Sequence, residues 1–304
     1  MRIRATVAAV SGALALSAFV VPAAQAADPN VPADIAAASD ALHSATDDKS
    51  AVAAAPADGT PYALNATFSN VKVNKGKNIV VGTTAVVKVP VSFTLTHGAD
   101  VNIQASDFFT GVELYRGTSS EDAIYWIDSS DAKCTATSTT VANCTATVAV
   151  DPYELLNEDA GSWKAAAFAV AFNGEDPENP NLDNVGVAVK DPTNSFKLQR
   201  ASKLTVNASP EPVKKGKTIT VTGKLSRANW EDGLYHGYTG QPVKLQFRKK
   251  GSNTYTTVKT IKTNSTGNLS TTVKATVDGY YRYSFAGTST TPAVNAAGDF
   301  VDVK

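Results

Sequence analysis

The chain has 304 residues, with 28 Lys and Arg balanced by 28 Asp and Glu, and two cysteines. After the N-terminal leader no stretch approaches the ~20 consecutive apolar residues that a membrane-spanning helix needs, and two cysteines with the scattered His43, His97 and His236 are too few ligands for a zinc site. The zero net charge hides a split. Residues 27–200 hold 11 basic and 22 acidic side chains (−11), and residues 201–304 hold 15 and 6 (+9), so a charged partner is expected to prefer one half.

The first 26 residues, MRIRATVAAVSGALALSAFVVPAAQA, read as a secretory signal peptide. Arg2 and Arg4 precede an apolar run from Ala5 to Val21, then Pro22 and the small-residue site Ala24-Gln25-Ala26. Without a lipid-bearing cysteine at the cleavage site or a sorting motif with an apolar tail, we expect a secreted protein, soluble or loosely wall-associated. Residues 27–61 are rich in Ala, Asp and Pro, with too little large apolar surface for a core. They read as a flexible spacer, with a short helix over Pro32–Ser44 as the alternative.

From Tyr62 the pattern changes. Tyr62, Leu64, Ala66 and Phe68 alternate with polar or small residues. In AVVKVPVSFTLTHG, Val87, Val89, Val91, Phe93 and Leu95 fall on one face, which is the period of a half-buried strand. Pro90 has no N–H for a ladder and predicts an edge or a bulge. Further short strands follow at VELYRG, AIYWID, WKAAAFAVAF, GVAVK and SFKLQR, and only YELLNEDAG hints at a helix. Cys134 and Cys144 lie in CTATSTTVANCTATVAV, which reads as a hairpin with the cysteines facing across it. A disulfide there would stabilise the first domain by roughly 3 kcal/mol in the chain-entropy treatment.

A second domain is predicted over residues 201–304, after a first over 62–200. KLTVNA, KTITVTGKL, QPVKLQFRKK, TYTTVKTIKT, NLSTTVKATV, YYRYSFAG and DFVDVK give about seven strands, divided by Ser-Asn, Asn-Ser-Thr-Gly-Asn and Asp-Gly turns. Leu245 and Phe247 are expected inward from KLQFR, and Tyr281, Tyr283 and Phe285 inward from YYRYSF. Lys-Gly-Lys occurs at 75–77 and again at 215–217. Each triplet is expected to supply the turn before a central strand of its own domain. The fold class is all-β: two immunoglobulin-like antiparallel sandwiches.

These residues carry a resemblance. LTVNASPEPVKKGKTITVTGKL, GQPVKLQFRKKGSNTYTTVKT, STGNLSTTVKATVDGYYRYSFAG and the closing GDFVDVK resemble the immunoglobulin-like, transthyretin-like β modules of secreted actinobacterial proteins over most of 201–304. Residues 62–200 resemble them through AGSWKAAAFAVAF and SFKLQR. The resemblance implies a spacer or accessory binding unit with no assigned activity. The two cysteines depart from the antibody pattern, being too close in sequence to pin two sheets together.

No catalytic constellation is legible. The histidines are scattered, no Gly-x-Ser-x-Gly elbow precedes a helix, and adjacent acids such as Glu158/Asp159 read as solvated loop residues. We expect no enzyme and no cofactor. Three candidate sites remain. Outward cations Lys224, Lys244, Arg248, Lys259, Lys274 and Arg282 would hold an anionic cell-wall polymer or glycan, with solubility and edge protection as the competing reading. Trp230, Tyr235, His236 and Tyr238 in ANWEDGLYHGYTG would stack on sugars. The competing and favoured reading makes Trp230 and one tyrosine a plug of the sandwich end. The loop NGEDPENPNLDNVG gathers Glu175, Asp176, Glu178 and Asp183 as a calcium alternative, against a plain acidic loop.

The leading reading is therefore a noncatalytic secreted binding or structural protein of the cell envelope or extracellular matrix, with the basic domain as its adhesion surface. The alternative is an inhibitor of an extracellular hydrolase presenting a rigid loop or the disulfide hairpin, to which Tyr125 and Trp126 lie close in sequence, and a third reading is a calcium-stabilised module. Nucleic acid is not the expected partner, and pairing of the basic with the acidic half, within or between molecules, is a further option.

Overall fold

The computed structural model describes residues 60–304 apart from 121 and 178. Residues 1–59, where a signal peptide, most of a spacer and the alternative short helix over Pro32–Ser44 are expected, lie outside the described residues. The first ten strands are β1 (Tyr62–Ala63), β2 (Ala66–Val73), β3 (Ile79–Val81), β4 (Val87–His97), β5 (Phe108–Arg116), β6 (Tyr125–Asp128), β7 (Lys133–Ala136), β8 (Val141–Val150), β9 (Gly161–Ala171) and β10 (Gly186–Arg200). They form two sheets, β1-β10-β9-β5-β6 with β3 also on β10, and β2-β4-β8-β7. A further ten strands make the second sandwich. They are β11 (Ser202–Leu204), β12 (Asn207–Ser209), β13 (Thr218–Asn229), β14 (Leu234–Gly237), β15 (Pro242–Lys249), β16 (Thr256–Lys262), β17 (Asn268–Lys274), β18 (Gly279–Phe285), β19 (Val294–Asn295) and β20 (Asp299–Val301). β13 pairs with β11, β12, β14 and β17 in one sheet. The other runs β16-β15-β18, with β19 and β20 on β18. Each sandwich is of the immunoglobulin-like kind.

Side-chain parity explains the cores. Val89, Val91, Phe93 and Leu95 of β4 are buried together with Val148 of β8 and Trp163 of β9. Burying each such side chain is worth ~1.5–3 kcal/mol. β9 is apolar on both faces. Trp163, Ala165, Ala167 and Ala169 face the main core, while Phe168, Val170 and Phe172 join Phe109, Leu182 and Val185 in a second cluster. In the second sandwich Leu245, Tyr281, Tyr283 and Phe285 point inward as their alternation predicts.

Several details differ from the sequence reading. The first Lys-Gly-Lys does make a turn, with Lys75 and Gly76 in the left-handed region (φ 56° and 77°). Yet β3 after it is a three-residue strand lying parallel on β10, not a central strand. The second triplet turns through Gly216 (φ 81°) into β13, which is central. β1 is also parallel to β10, so the pairing is not purely antiparallel. Pro90 lies inside β4, paired with Thr147 of β8 but one residue past the last β2 pair, Val73↔Val91, so its missing N–H costs no bond to β2. The segment around Asn157–Asp159 is a single 3-10 turn rather than a helix.

Candidate functional site

The outer face of the β16-β15-β18-β20 sheet is the candidate site, and strand register builds it. Arg248 of β15 pairs with Tyr280 of β18, and Tyr280 pairs with Phe300 of β20. One row of the sheet therefore reads cation–aromatic–aromatic. The next row pairs Gln246 with Arg282. Paired residues share a face, and Leu245, Tyr281 and Tyr283 between them fill the core, so all of these point outward.

Their contacts make a continuous pavement. The Arg248 guanidinium lies 4.1 Å from the Tyr280 ring centroid and 5.3 Å from that of Tyr255, the residue just before β16. Arg282 sits 3.8 Å over the other side of this pavement, on Tyr255. Tyr280 and Phe300 rings are 5.1 Å apart, and Lys250 caps Phe300 at 5.4 Å. Arg282 Nε donates to Gln246 Oε1 at 2.8 Å, and Arg248 donates to the Ser252 carbonyl at 2.5 Å. Both bonds go to neutral oxygens. Among the described residues neither guanidinium forms an ion pair with a carboxylate. Each guanidinium thus lies over a ring, and its N–H groups beyond the bond just named suit a carboxylate or phosphate, which Arg grips in a bidentate way. The half-buried aromatic faces beside them suit the apolar face of a sugar.

The other predicted cations are distributed differently. Lys244 is outward on β15, opposite Ser284 and Thr260. Lys224 and Lys274 are exposed on the other sheet, at opposite ends of the β13–β17 pair. Lys259 is not outward. A bulge at Val258 shifts the register, Lys259 pairs with the buried Leu245, and its Nζ crosses the sheet edge to Thr271 Oγ1 (3.1 Å) and Thr272 O (2.9 Å).

The aromatic loop is dispersed rather than a platform. Trp230 is 1 % exposed and packs in the core of the first sandwich, its indole N–H donating to Gly82 O at 2.8 Å. It has no face to offer a sugar. Around it, Trp230 N donates to Asn157 Oδ1 (3.1 Å), and Arg200 Nε donates to Ala228 O (2.6 Å). Burial, with Arg227 adding its charge, pulls the Arg200 guanidinium down to about 10. Tyr235 lies under Lys203 at 3.7 Å, and burial raises its hydroxyl pKa. Tyr238 packs on Phe285 and under Arg227 at 4.1 Å. His236 is exposed and contacts Asp232 at 2.5 Å.

In the acidic loop the oxygens already have partners. Glu175 accepts from Asn181 N (3.0 Å) and Asn184 Nδ2 (2.7 Å), which hold its pKa below the usual range, and Asp183 accepts from Thr60 N (3.0 Å). Glu178 lies outside the described residues, and among these no group of three His, Cys, Asp or Glu is placed to hold a metal. Cys134 and Cys144 are disulfide-bonded, directly opposite each other in the β7–β8 hairpin. Tyr125 packs edge-on against Trp163, ring centroids 5.8 Å apart. Tyr255, Tyr280 and Phe300 escaped the sequence reading because 45 residues separate the ends of that set.

No protein family matches the chain, and no curated protein matches it. Solved structures do. The Yersinia pseudotuberculosis adhesin InvE is 11% identical over 78% of this chain and 58% of that one, with a TM-score of 0.24. This chain thus spans less than two thirds of InvE. The D0-D1 domain of Intimin is 14% identical over 77% of this chain and 98% of its own, TM-score 0.24. The titin I-band fragment I67-I69 is 11% identical over 79% and 65%, TM-score 0.27. The likeness is one of β-sandwich architecture.

Proposed function

We propose that this chain is a noncatalytic extracellular binding protein of the cell envelope, whose second sandwich holds an anionic wall polymer on the Arg248–Tyr280–Phe300 and Arg282–Tyr255 pavement. In this reading residues 1–26 are the leader, 27–61 the spacer, 62–200 the acidic sandwich and 201–304 the basic binding sandwich. The observation that carries it is the pair of guanidiniums lying over rings with no carboxylate partner among the described residues, on a sandwich of charge +9. Anionic groups would take the guanidinium N–H bonds, and the rings would cover the chain between them.

The test is co-sedimentation of the full-length mature protein with isolated cell walls, before and after their anionic polymers are stripped. Binding is expected to need those polymers and to fade with salt, because exposed charges are screened beyond about 8 Å at physiological ionic strength. Arg248→Gln with Arg282→Gln is expected to weaken it at least tenfold, about 1.4 kcal/mol, with an unchanged thermal midpoint. Undiminished binding by this double variant, or equal binding to stripped walls, overturns the reading.

A further inference from the structure

The outer face of the β2-β4-β8-β7 sheet, on the acidic sandwich, holds a cavity of about 850 Å³. Register again builds it. Lys72 pairs with Ser92, Ser92 with Thr145, and Thr145 with Lys133. One row thus crosses all four strands as ammonium–hydroxyl–hydroxyl–ammonium, about 14 Å between its end backbones at ~4.8 Å per strand. The adjoining row continues the floor: Pro90 pairs with Thr147, and Ser130 N donates to Thr147 O at 2.8 Å while Thr147 N donates to Ser130 Oγ at 3.2 Å. Lys75, in the left-handed turn after β2, lines the same cavity.

Two local devices set this row. β2 carries a bulge: Asn70 and Val71 together face one position of β4, with Asn70 at φ 54°. The extra residue turns Lys72 outward and Val73 into the core, a parity that an unbroken strand from Phe68 would reverse. At the other end, the Cys134–Cys144 bond ties β7 to β8 at the rung next to Lys133↔Thr145.

The chemistry of the lining selects the ligand. Among the described residues Lys72, Lys75 and Lys133 form no ion pair. The one carboxylate in the lining, Asp131, accepts from Thr110 N at 3.2 Å, and burial raises its pKa. No aromatic side chain lines the cavity, so nucleic-acid bases find no stacking platform. Hydroxyls between two cations match a ligand with hydroxyls between two anionic groups. We propose that this cradle is a second, separate site for an acidic oligosaccharide, with Lys72 and Lys133 taking its charged groups and Ser92, Thr145 and Thr147 bonding its hydroxyls.

The test uses the full chain carrying Arg248→Gln and Arg282→Gln, so that the pavement on the second sandwich is silent. The probe is a hexasaccharide of galacturonic acid, titrated while amide NMR shifts are followed, with a neutral glucose hexasaccharide as control. Shifts are expected at Ser92, Thr145 and Thr147 for the acidic sugar alone. Lys72→Gln with Lys133→Gln is expected to lower affinity at least tenfold with the fold intact by amide dispersion. Lys88→Gln, on β4 but outside the cavity, is expected to change it less than twofold. Equal binding of the neutral sugar, retention of affinity by Lys72→Gln/Lys133→Gln, or an equal loss with Lys88→Gln overturns the proposal, whatever the wall-binding experiment gives.

Discussion

Replacing Trp230 by Ala should uncouple the two sandwiches. The side chain belongs to the strand-to-strand loop after β13 yet packs among first-sandwich residues, with its indole N–H on Gly82 O. Truncating a buried aromatic costs about 3–5 kcal/mol from lost transfer energy and the cavity left behind. Urea unfolding of a chain this size has a slope of about 3 kcal/mol per M, so a loss of about 4 kcal/mol lowers the midpoint by roughly 1.3 M. Trp230→Phe keeps one buried ring but removes the donor and the volume of the second ring. Leaving Gly82 O without that partner costs about 1–3 kcal/mol. The assay is urea denaturation by far-UV circular dichroism, backed by amide exchange. The junction amides Ala201 N, bonded to Val81 O, and Ala228 N, bonded to Ala201 O, should exchange faster in Trp230→Ala. A midpoint shift below about 0.3 M at that slope, with exchange at Ala201 and Ala228 unchanged, would refute the reasoning, because the indole would then be packed against nothing.

Two further outcomes are expected. Reducing the Cys134–Cys144 bond should cost the first sandwich no more than about 3 kcal/mol, read as a lower urea midpoint in reductant, and an unmoved midpoint would show that the hairpin holds without it. Acid should loosen the C-terminal strand: Asp278 accepts from Val303 N (2.9 Å) and from Lys250, which together hold its pKa below the usual carboxylate value. A depressed folded-state pKa means stability that is present above the unfolded value and lost as pH falls through the folded one, so Val303 should lose its contact at pH below about 4, and Asp278→Asn should make its NMR shift insensitive to pH there.

What was legible in the sequence follows strand parity. The alternation in YYRYSF sends Tyr281, Tyr283 and Phe285 inward because β18 pairs with β15 without a register shift, and the two cysteines face each other because their hairpin has no bulge. Parity fails where one residue is inserted. The bulge at Val258 turns Lys259 in, and the bulge at Asn70–Val71 turns Lys72 out; neither carries a glycine or proline to announce it. Tertiary neighbours are invisible for another reason. Nothing local to ANWEDG says that Trp230 will be buried by Val81 and Gly82, about 150 positions away in sequence. The pavement likewise needs the β15–β18–β20 register, which no single stretch encodes.

Net charge, then, is a weak guide to where an anion sits on this chain. The first half totals −11, yet its four-stranded sheet presents Lys72 and Lys133 with hydroxyls between them. Asp131 shares the lysine cavity, while other acids lie on the opposite face. Val112 and Leu114 of β5 enter the main core, so Glu113 and Tyr115 point to the opposite face of the six-stranded sheet, where Asp191 accepts the Tyr115 hydroxyl and Ser120 N. The acidic loop with Glu175 and Asp183 flanks Phe172, Leu182 and Val185, the apolar cluster of that same face. Packed sheets lie ~10 Å apart, so these carboxylates are separated from the lysine row by the thickness of the sandwich. The carboxylate that lines the cavity with the row is Asp131, which already accepts from Thr110 N. Strand parity thus gives a net-acidic sandwich a face with a row of cations, and an anion would be attracted by the face it meets rather than by the sum.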